Sequence, residues 1–256
     1  MSNSPLVSYT KLSPNHSGQR THVVDRITPH CVVGQCSVET LGNIFAPTSR
    51  QASCQYGIGV DGRVGMYVEE KNRSWCSSSN ANDQRAITIE CASDATHPYA
   101  FNDTVYAKLI ELCTDICKRY GKTKLLWFGD KTKTLNYEPA SNEMVLTVHR
   151  WFANKSCPGD WMYARMGDLA SKVTAKLGGS AGGTEKPADN QALYRVQTGA
   201  FSNKTNADAM LQKVKAAGFD TYMVKVDNLY KIQVGAFSKK ANADACLLYT
   251  SPSPRD

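Results

Sequence analysis

The chain has 256 residues, enough for one large domain or two smaller ones, and its 41% apolar and 21% charged content excludes wholesale disorder. No stretch approaches the ~20 consecutive apolar residues of a membrane helix, and Met1-Ser2-Asn3-Ser4-Pro5 has neither the basic start nor the apolar run of a secretory signal. Thirty Lys and Arg against 23 Asp and Glu give a net charge of +7, which suits an anionic polymer but is too dispersed to argue for nucleic acid. Neither a membrane nor a nucleic-acid partner is expected.

In chain order, residues 1–21 read as a polar N-terminal arm. A strand is predicted at 26–33 and a helix at 37–43. A hairpin follows, 56–60 and 64–68, around Asp61-Gly62, the favoured short-turn dipeptide. Residues 86–91 (Ala-Ile-Thr-Ile-Glu-Cys) read as another strand. Between 102 and 120, Val105, Leu109, Leu112, Cys113 and Ile116 recur with the period of a helix packed on one face, and Gly121 ends it. Strands at 125–128 and 144–149, a loop at 154–160 and a helix at 161–177 complete the region. Interleaved strands and helices predict an α/β layer fold.

Residues 178–191 are rich in Gly, Ser and small side chains and read as a flexible linker. Beyond it lies an internal repeat: Tyr194-Arg195-Val196-Gln197-Thr198-Gly199-Ala200-Phe201 returns as Tyr230-Lys231-Ile232-Gln233-Val234-Gly235-Ala236-Phe237. Each copy alternates like a strand and runs into a helix start. The first helix is stopped by Gly218 and followed by a strand at 221–226, so 192–245 reads as β-α-β, then β-α without a final strand. Residues 246–256 resemble one reading frame of a transposase-type sequencing adapter. They are expected to belong to neither domain.

Nine cysteines without a secretory signal do not predict a disulfide framework; Cys113 and Cys117, four apart on a helix, share a core face. Of the five histidines, His16, His22 and His97 fall in polar or turn segments, whereas His30 and His149 sit at or near the ends of apolar strands. Eight residues after His149, Cys157 stands in a Lys-Ser-Cys-Pro-Gly loop. Two imidazoles and a thiolate would suit zinc with one position open to water. By spacing alone the signal is weak, since a strand histidine is more often a hydrogen-bonded core residue.

Four segments occur in a telling order: Arg26-Ile27-Thr28-Pro29-His30-Cys31, Tyr56-Gly57-Ile58-Gly59-Val60-Asp61-Gly62, Ile87-Thr88-Ile89-Glu90, and His149-Arg150-Trp151-Phe152-Ala153-Asn154-Lys155-Ser156-Cys157-Pro158-Gly159. Together they resemble the type 2 N-acetylmuramoyl-L-alanine amidases, relatives of peptidoglycan recognition proteins and common as phage endolysins. The likeness spans residues 22–177. The C-terminal repeat resembles the SPOR module, which binds glycan strands of peptidoglycan. The resemblance implies a mixed central sheet flanked by helices, followed by a small α+β module.

It also implies roles. His30, His149 and Cys157 match the zinc ligands, Glu90 the general base, and Lys155 the cation that stabilises the transition state. The implied reaction is zinc-dependent cleavage of the amide between N-acetylmuramic acid and L-alanine in bacterial peptidoglycan. The alternatives are a module that holds muropeptide without cutting it, or an autolysin of a bacterial cell. Without a secretory signal, cytoplasmic synthesis and release to the cell wall through a holin lesion are expected. Two departures stand out. Cys54 occupies the place where many members carry a tyrosine seven residues before the Asp-Gly turn, and Tyr56 is read as core. Pro29 interrupts a central strand, so either the approach of His30 is distorted or the pairing there is already irregular.

Overall fold

A computed structural model of the chain describes residues 3–178, 194–216, 221–226 and 228–237. The chain divides into two compact units, 1–185 and 186–256. The linker at 178–191 beyond Gly178, Gly218 and the segment 246–256 lie outside the described residues.

The strands of the first unit are β1 (Val7–Thr10), β2 (His16–Gln19), β3 (Arg26–Cys31), β4 (Tyr56–Ile58), β5 (Val64–Met66), β6 (Asn72–Ser74), β7 (Ala86–Cys91), β8 (Lys124–Leu126) and β9 (Glu143–Leu146). Seven of them form one sheet in the order β1-β5-β4-β7-β3-β9-β8, while β2 and β6 pair separately. Only the β4–β5 hairpin is antiparallel in the large sheet, which makes it mixed. Gly62 in that hairpin has φ +80, and a Cβ there would meet Thr104 Cγ2 at 2.7 Å. The Asp-Gly pair is therefore required both by the turn and by packing.

The helices are α1 (Val38–Phe45), α2 (Asn80–Arg85), α3 (Asp103–Arg119), α4 (Lys131–Leu135), α5 (Asp160–Tyr163) and α6 (Met166–Lys176). Asn102 caps α3 by accepting from the Val105 N–H, and Gly121 (φ +66) follows its end. Its buried face, including Leu109, Leu112, Cys113 and Ile116, packs with α6 residues Leu169, Ala170 and Val173 against Ile27, Ile87 and Ile89 of the sheet. Each fully buried aliphatic side chain of this kind contributes about 1.5–3 kcal/mol. On the other face α1 covers β4 and β5 with Leu41 and Phe45, above Cys54 and Tyr67.

Period-two alternation decides what the sheet offers. Ile27 and Cys31 of β3, and Ile87, Ile89 and Cys91 of β7, face the α3–α6 core. The intervening Thr28, His30, Thr88 and Glu90 therefore share the opposite face. One side of the two central strands is core; the other is a polar floor.

Three expectations change. Residues 7–10, read as part of a polar arm, form the edge strand β1 against β5, with Val7 opposite Val64. Four residues of alternating burial give too short a pattern to stand out in a polar segment. The strand predicted at 144–149 ends at Leu146, and His149 opens a 3-10 turn, His149–Trp151. Pro29 supplies the reason. Thr147 donates to the Ile27 carbonyl, so the odd residues of β3 turn their backbone groups towards β9. Pro29 has no N–H to continue that ladder, and the chain peels away. The irregular-pairing alternative for Pro29 is the one observed. The helix predicted at 161–177 is split into α5 and α6: Arg165 leaves helical geometry (φ −102, ψ 1) and lays its guanidinium 4.0 Å above the Trp161 ring.

The second unit contains β10 (Tyr194–Phe201), α7 (Lys204–Ala216), β11 (Thr221–Val226) and β12 (Leu229–Phe237). Its sheet is antiparallel in the order β10-β12-β11, so the two repeat copies pair with each other, Phe201 opposite Tyr230. Val196, Ala207, Ile232 and Val234 form its buried centre.

Candidate metal centre and cleft

His30 and Glu90 are register partners on adjacent parallel strands, so the sheet itself sets them side by side on the polar floor. His30 is fully buried, with Nδ1 3.9 Å from Glu90 Oε1. His149 arrives from the turn that Pro29 permits, its ring centroid 5.0 Å from that of His30. Cys157 Sγ lies 3.2 Å from His30 Nδ1. One ligand-capable atom from each of His30, His149 and Cys157 falls within 4.8 Å of the others.

The loop that carries Cys157 is held from several sides. Arg150 N–H donates to the Cys157 carbonyl, and the Arg150 guanidinium reaches Asp160 Oδ1 at 2.9 Å. Gly159, at φ +84, lies so close to the neighbouring loop that a Cβ would meet the Pro98 carbonyl at 2.8 Å. The Cys-Pro-Gly sequence is thus a packing requirement as well as a chemical one.

Glu90, His149 and Lys155 line one cleft of about 470 Å³, together with Arg50, Trp75 and Cys76. Burial pushes the Glu90 carboxyl up to about 7, against the opposing pull of Arg50 and a contact from the Cys76 thiol. Burial, then the neighbouring His149, holds His30 well below the usual imidazole value. His149 is lowered too, by burial and by Lys155. Both rings are therefore neutral near pH 7, the form that offers a lone pair to a metal. Burial, then Cys31 and Glu90, raises the Cys157 thiol.

His30 Nε2 and Glu90 Oε2 are buried without a hydrogen-bond partner. Such orphaned atoms are uncommon and costly. Two neutral imidazoles, one thiol and a neighbouring carboxylate therefore fit a divalent cation of intermediate softness.

The five residues singled out from sequence are brought to one place. Three further residues were not. Cys76 Sγ lies 3.9 Å from Glu90 Oε1 and forms a second group of ligand-capable atoms with His30 and Glu90. Ser78 Oγ is 3.0 Å from His149 Nε2, so it can orient that ring. Arg50 faces Glu90 from the 3-10 turn Thr48–Arg50. In sequence, Cys76 and Ser78 show only a serine-rich turn before the Ser79 cap of α2, which announces a loop and not its destination.

Tyr56 is fully buried; its hydroxyl donates to Glu70 Oε1 at 2.6 Å and accepts from the Ser4 N–H. It is a packing and hydrogen-bonding residue and does not line the cleft.

The profile of the N-acetylmuramoyl-L-alanine amidase family matches residues 19–160. The chain belongs to that family. It is accordingly an N-acetylmuramoyl-L-alanine amidase by class, an enzyme acting on peptidoglycan, and the SPOR domain profile matches residues 190–247. Solved structures similar to this amidase include a mutant endolysin from Bacillus subtilis, at 14% identity, covering 64% of this chain and 97% of that one with a TM-score of 0.44. Another is the N-acetylmuramoyl-L-alanine amidase LysC from Clostridium intestinale, at 17% identity, 68% and 96% coverage and a TM-score of 0.42. No curated protein matches the chain.

Proposed function

We propose that the first unit is a zinc-dependent endolysin that cleaves the amide between N-acetylmuramic acid and L-alanine. The observation that carries this reading is the convergence of His30, His149 and Cys157 within 4.8 Å beside Glu90, at a cleft that also contains Lys155.

His30, His149 and Cys157 would hold the zinc ion, which supplies a Lewis acid able to acidify water and polarise the scissile carbonyl. Glu90, as carboxylate, accepts the proton of the attacking water and returns it to the departing alanine amine. Lys155 places positive charge in the cleft where the oxyanion develops. Ser78 keeps the His149 ring from rotating.

The second unit would grip glycan strands. Residues 192–245 contain eight Lys or Arg and four Asp, with neither Glu nor His, so the segment is basic and lacks an acid–base or metal set. Long-range attraction to peptide carboxylates then adds to aromatic stacking on sugars. The site of action would be the bacterial cell wall, reached through a holin lesion.

Incubation with purified sacculi, with and without chelator, tests the catalytic reading. New L-alanine amino termini should appear, should cease with chelator and should return on adding zinc. Termini that accumulate equally in chelator would overturn the zinc step, and binding without new termini would favour a recognition module.

A further inference from the structure

Cys76 has no part in the mechanism above, yet its thiol borders the same cleft and the same two side chains. Its Sγ is 3.9 Å from Glu90 Oε1, which is itself 3.9 Å from His30 Nδ1. His30 Nδ1 is in turn 3.2 Å from Cys157 Sγ. His30 thus lies within ligand reach of two thiols carried on different loops. Cys76 is not loosely placed: its N–H donates to Asp83 Oδ2 at 3.0 Å, and the same carboxylate is held by the Ser77 N–H and hydroxyl.

We propose that the pocket holds a thiophilic divalent ion in a second, catalytically silent ligand set, His30, Cys76 and Glu90, in exchange with His30, His149 and Cys157. The assignment of silence rests on the reading of Glu90 as the general base. Both sets draw on His30, and a neutral imidazole offers one lone pair to a metal, so the two sets compete for one ion. The catalytic set offers two neutral imidazoles and one thiolate. The silent set offers one imidazole, a thiolate and a carboxylate, hence one more negative charge. Glu90 Oε2, buried without a partner, has a lone pair free for that purpose. An ion in the silent set engages the carboxylate that should accept the proton, so occupancy persists while turnover stops. Soft cations such as Cd²⁺ tolerate this mixed S, N, O set.

The test uses Cd²⁺ and the full chain carrying Cys157→Ser, which removes the competing thiol. This variant should bind one Cd²⁺ with a thiolate-to-cadmium charge-transfer band in the ultraviolet. Adding Cys76→Ser should weaken binding at least tenfold and remove the band, whereas adding Cys36→Ser should change neither. Equal Cd²⁺ affinity with and without Cys76 would overturn the proposal, as would no binding by Cys157→Ser. Alkylation mapping needs no change at position 76: Cd²⁺ should slow iodoacetamide modification of Cys76 at least tenfold, and an unchanged rate refutes the set. Failure of the zinc amidase reading shows separately, in the unmodified chain, as chelator-insensitive cleavage.

Discussion

The buried Glu90 carboxyl makes a measurable demand on the fold. Its side chain is 16% exposed, Oε2 has no hydrogen-bond partner, and burial raises its pKa from 4.5 to about 7. The folded, metal-free chain therefore binds this proton more tightly than the unfolded chain does. Below pH 4.5 both states are protonated and the group costs nothing. Between 4.5 and 7 the unfolded state ionises first, so stability falls as pH rises, and above 7 the full cost is present. At 1.36 kcal/mol per tenfold change in proton affinity, the cost is about 1 kcal/mol at pH 5 and about 3 kcal/mol at pH 8. Glu90→Gln removes the titration while keeping the shape. In chelator-treated protein, Gln should therefore stabilise by about 1 kcal/mol at pH 5 and by about 3 kcal/mol at pH 8.

Urea unfolding followed by tryptophan fluorescence reads this directly. All four tryptophans, at 75, 127, 151 and 161, lie in the first unit, so the signal reports that unit alone. Groups away from Glu90 titrate alike in both proteins and cancel, and the thiols that its charge raises, Cys54, Cys76 and Cys157, stay protonated over this pH range. The same substitution should lower turnover on sacculi by roughly 10²–10⁴, because the proton acceptor is gone. A variant-minus-wild-type difference equal at pH 5 and pH 8 would refute the buried-base argument. It would mean that water already solvates the carboxylate.

His30→Gln removes the imidazole common to both ligand sets, so elemental analysis should fall from about one zinc per chain to near none; undiminished zinc would place the metal elsewhere. Tyr56→Phe leaves the buried Ser4 N–H without its acceptor and takes one donor from Glu70, which Arg119 still holds. Urea unfolding should show a loss of about 1–3 kcal/mol with turnover on soluble muropeptide unchanged, and a fall in turnover per folded molecule would restore Tyr56 to the mechanism. A chain ending at residue 177 should keep its rate on soluble muropeptides and lose rate on intact sacculi, most at low enzyme concentration. Equal rates on sacculi would remove the anchoring role.

Sequence alone determined the elements whose signals are local. The α3 helix announces itself through Asn102, an apolar stripe from Val105 to Ile116 and Gly121, all within one segment. The β4–β5 hairpin is legible in Asp61-Gly62, and β7 matches its predicted span residue for residue. The repeat in the second unit is visible because both copies carry the same alternation. The five candidate site residues were singled out through resemblance, since no spacing rule connects His30, Glu90 and Cys157.

Tertiary structure decided the rest, because it depends on pairings between distant segments. His30 and Glu90 are sixty positions apart, and only the parallel register of β3 with β7 makes them neighbours on one face. Pro29 reads as an anomaly in isolation; next to β9 it marks where that strand leaves the sheet and His149 turns inward. The split between α5 and α6 arises where Arg165 stacks on Trp161, an interaction that helix periodicity does not register. Cys76 is the clearest case. A lone cysteine in a serine-rich loop has no local partner to betray it, and its chemistry exists only because Asp83 pins that loop beside a carboxylate from another strand.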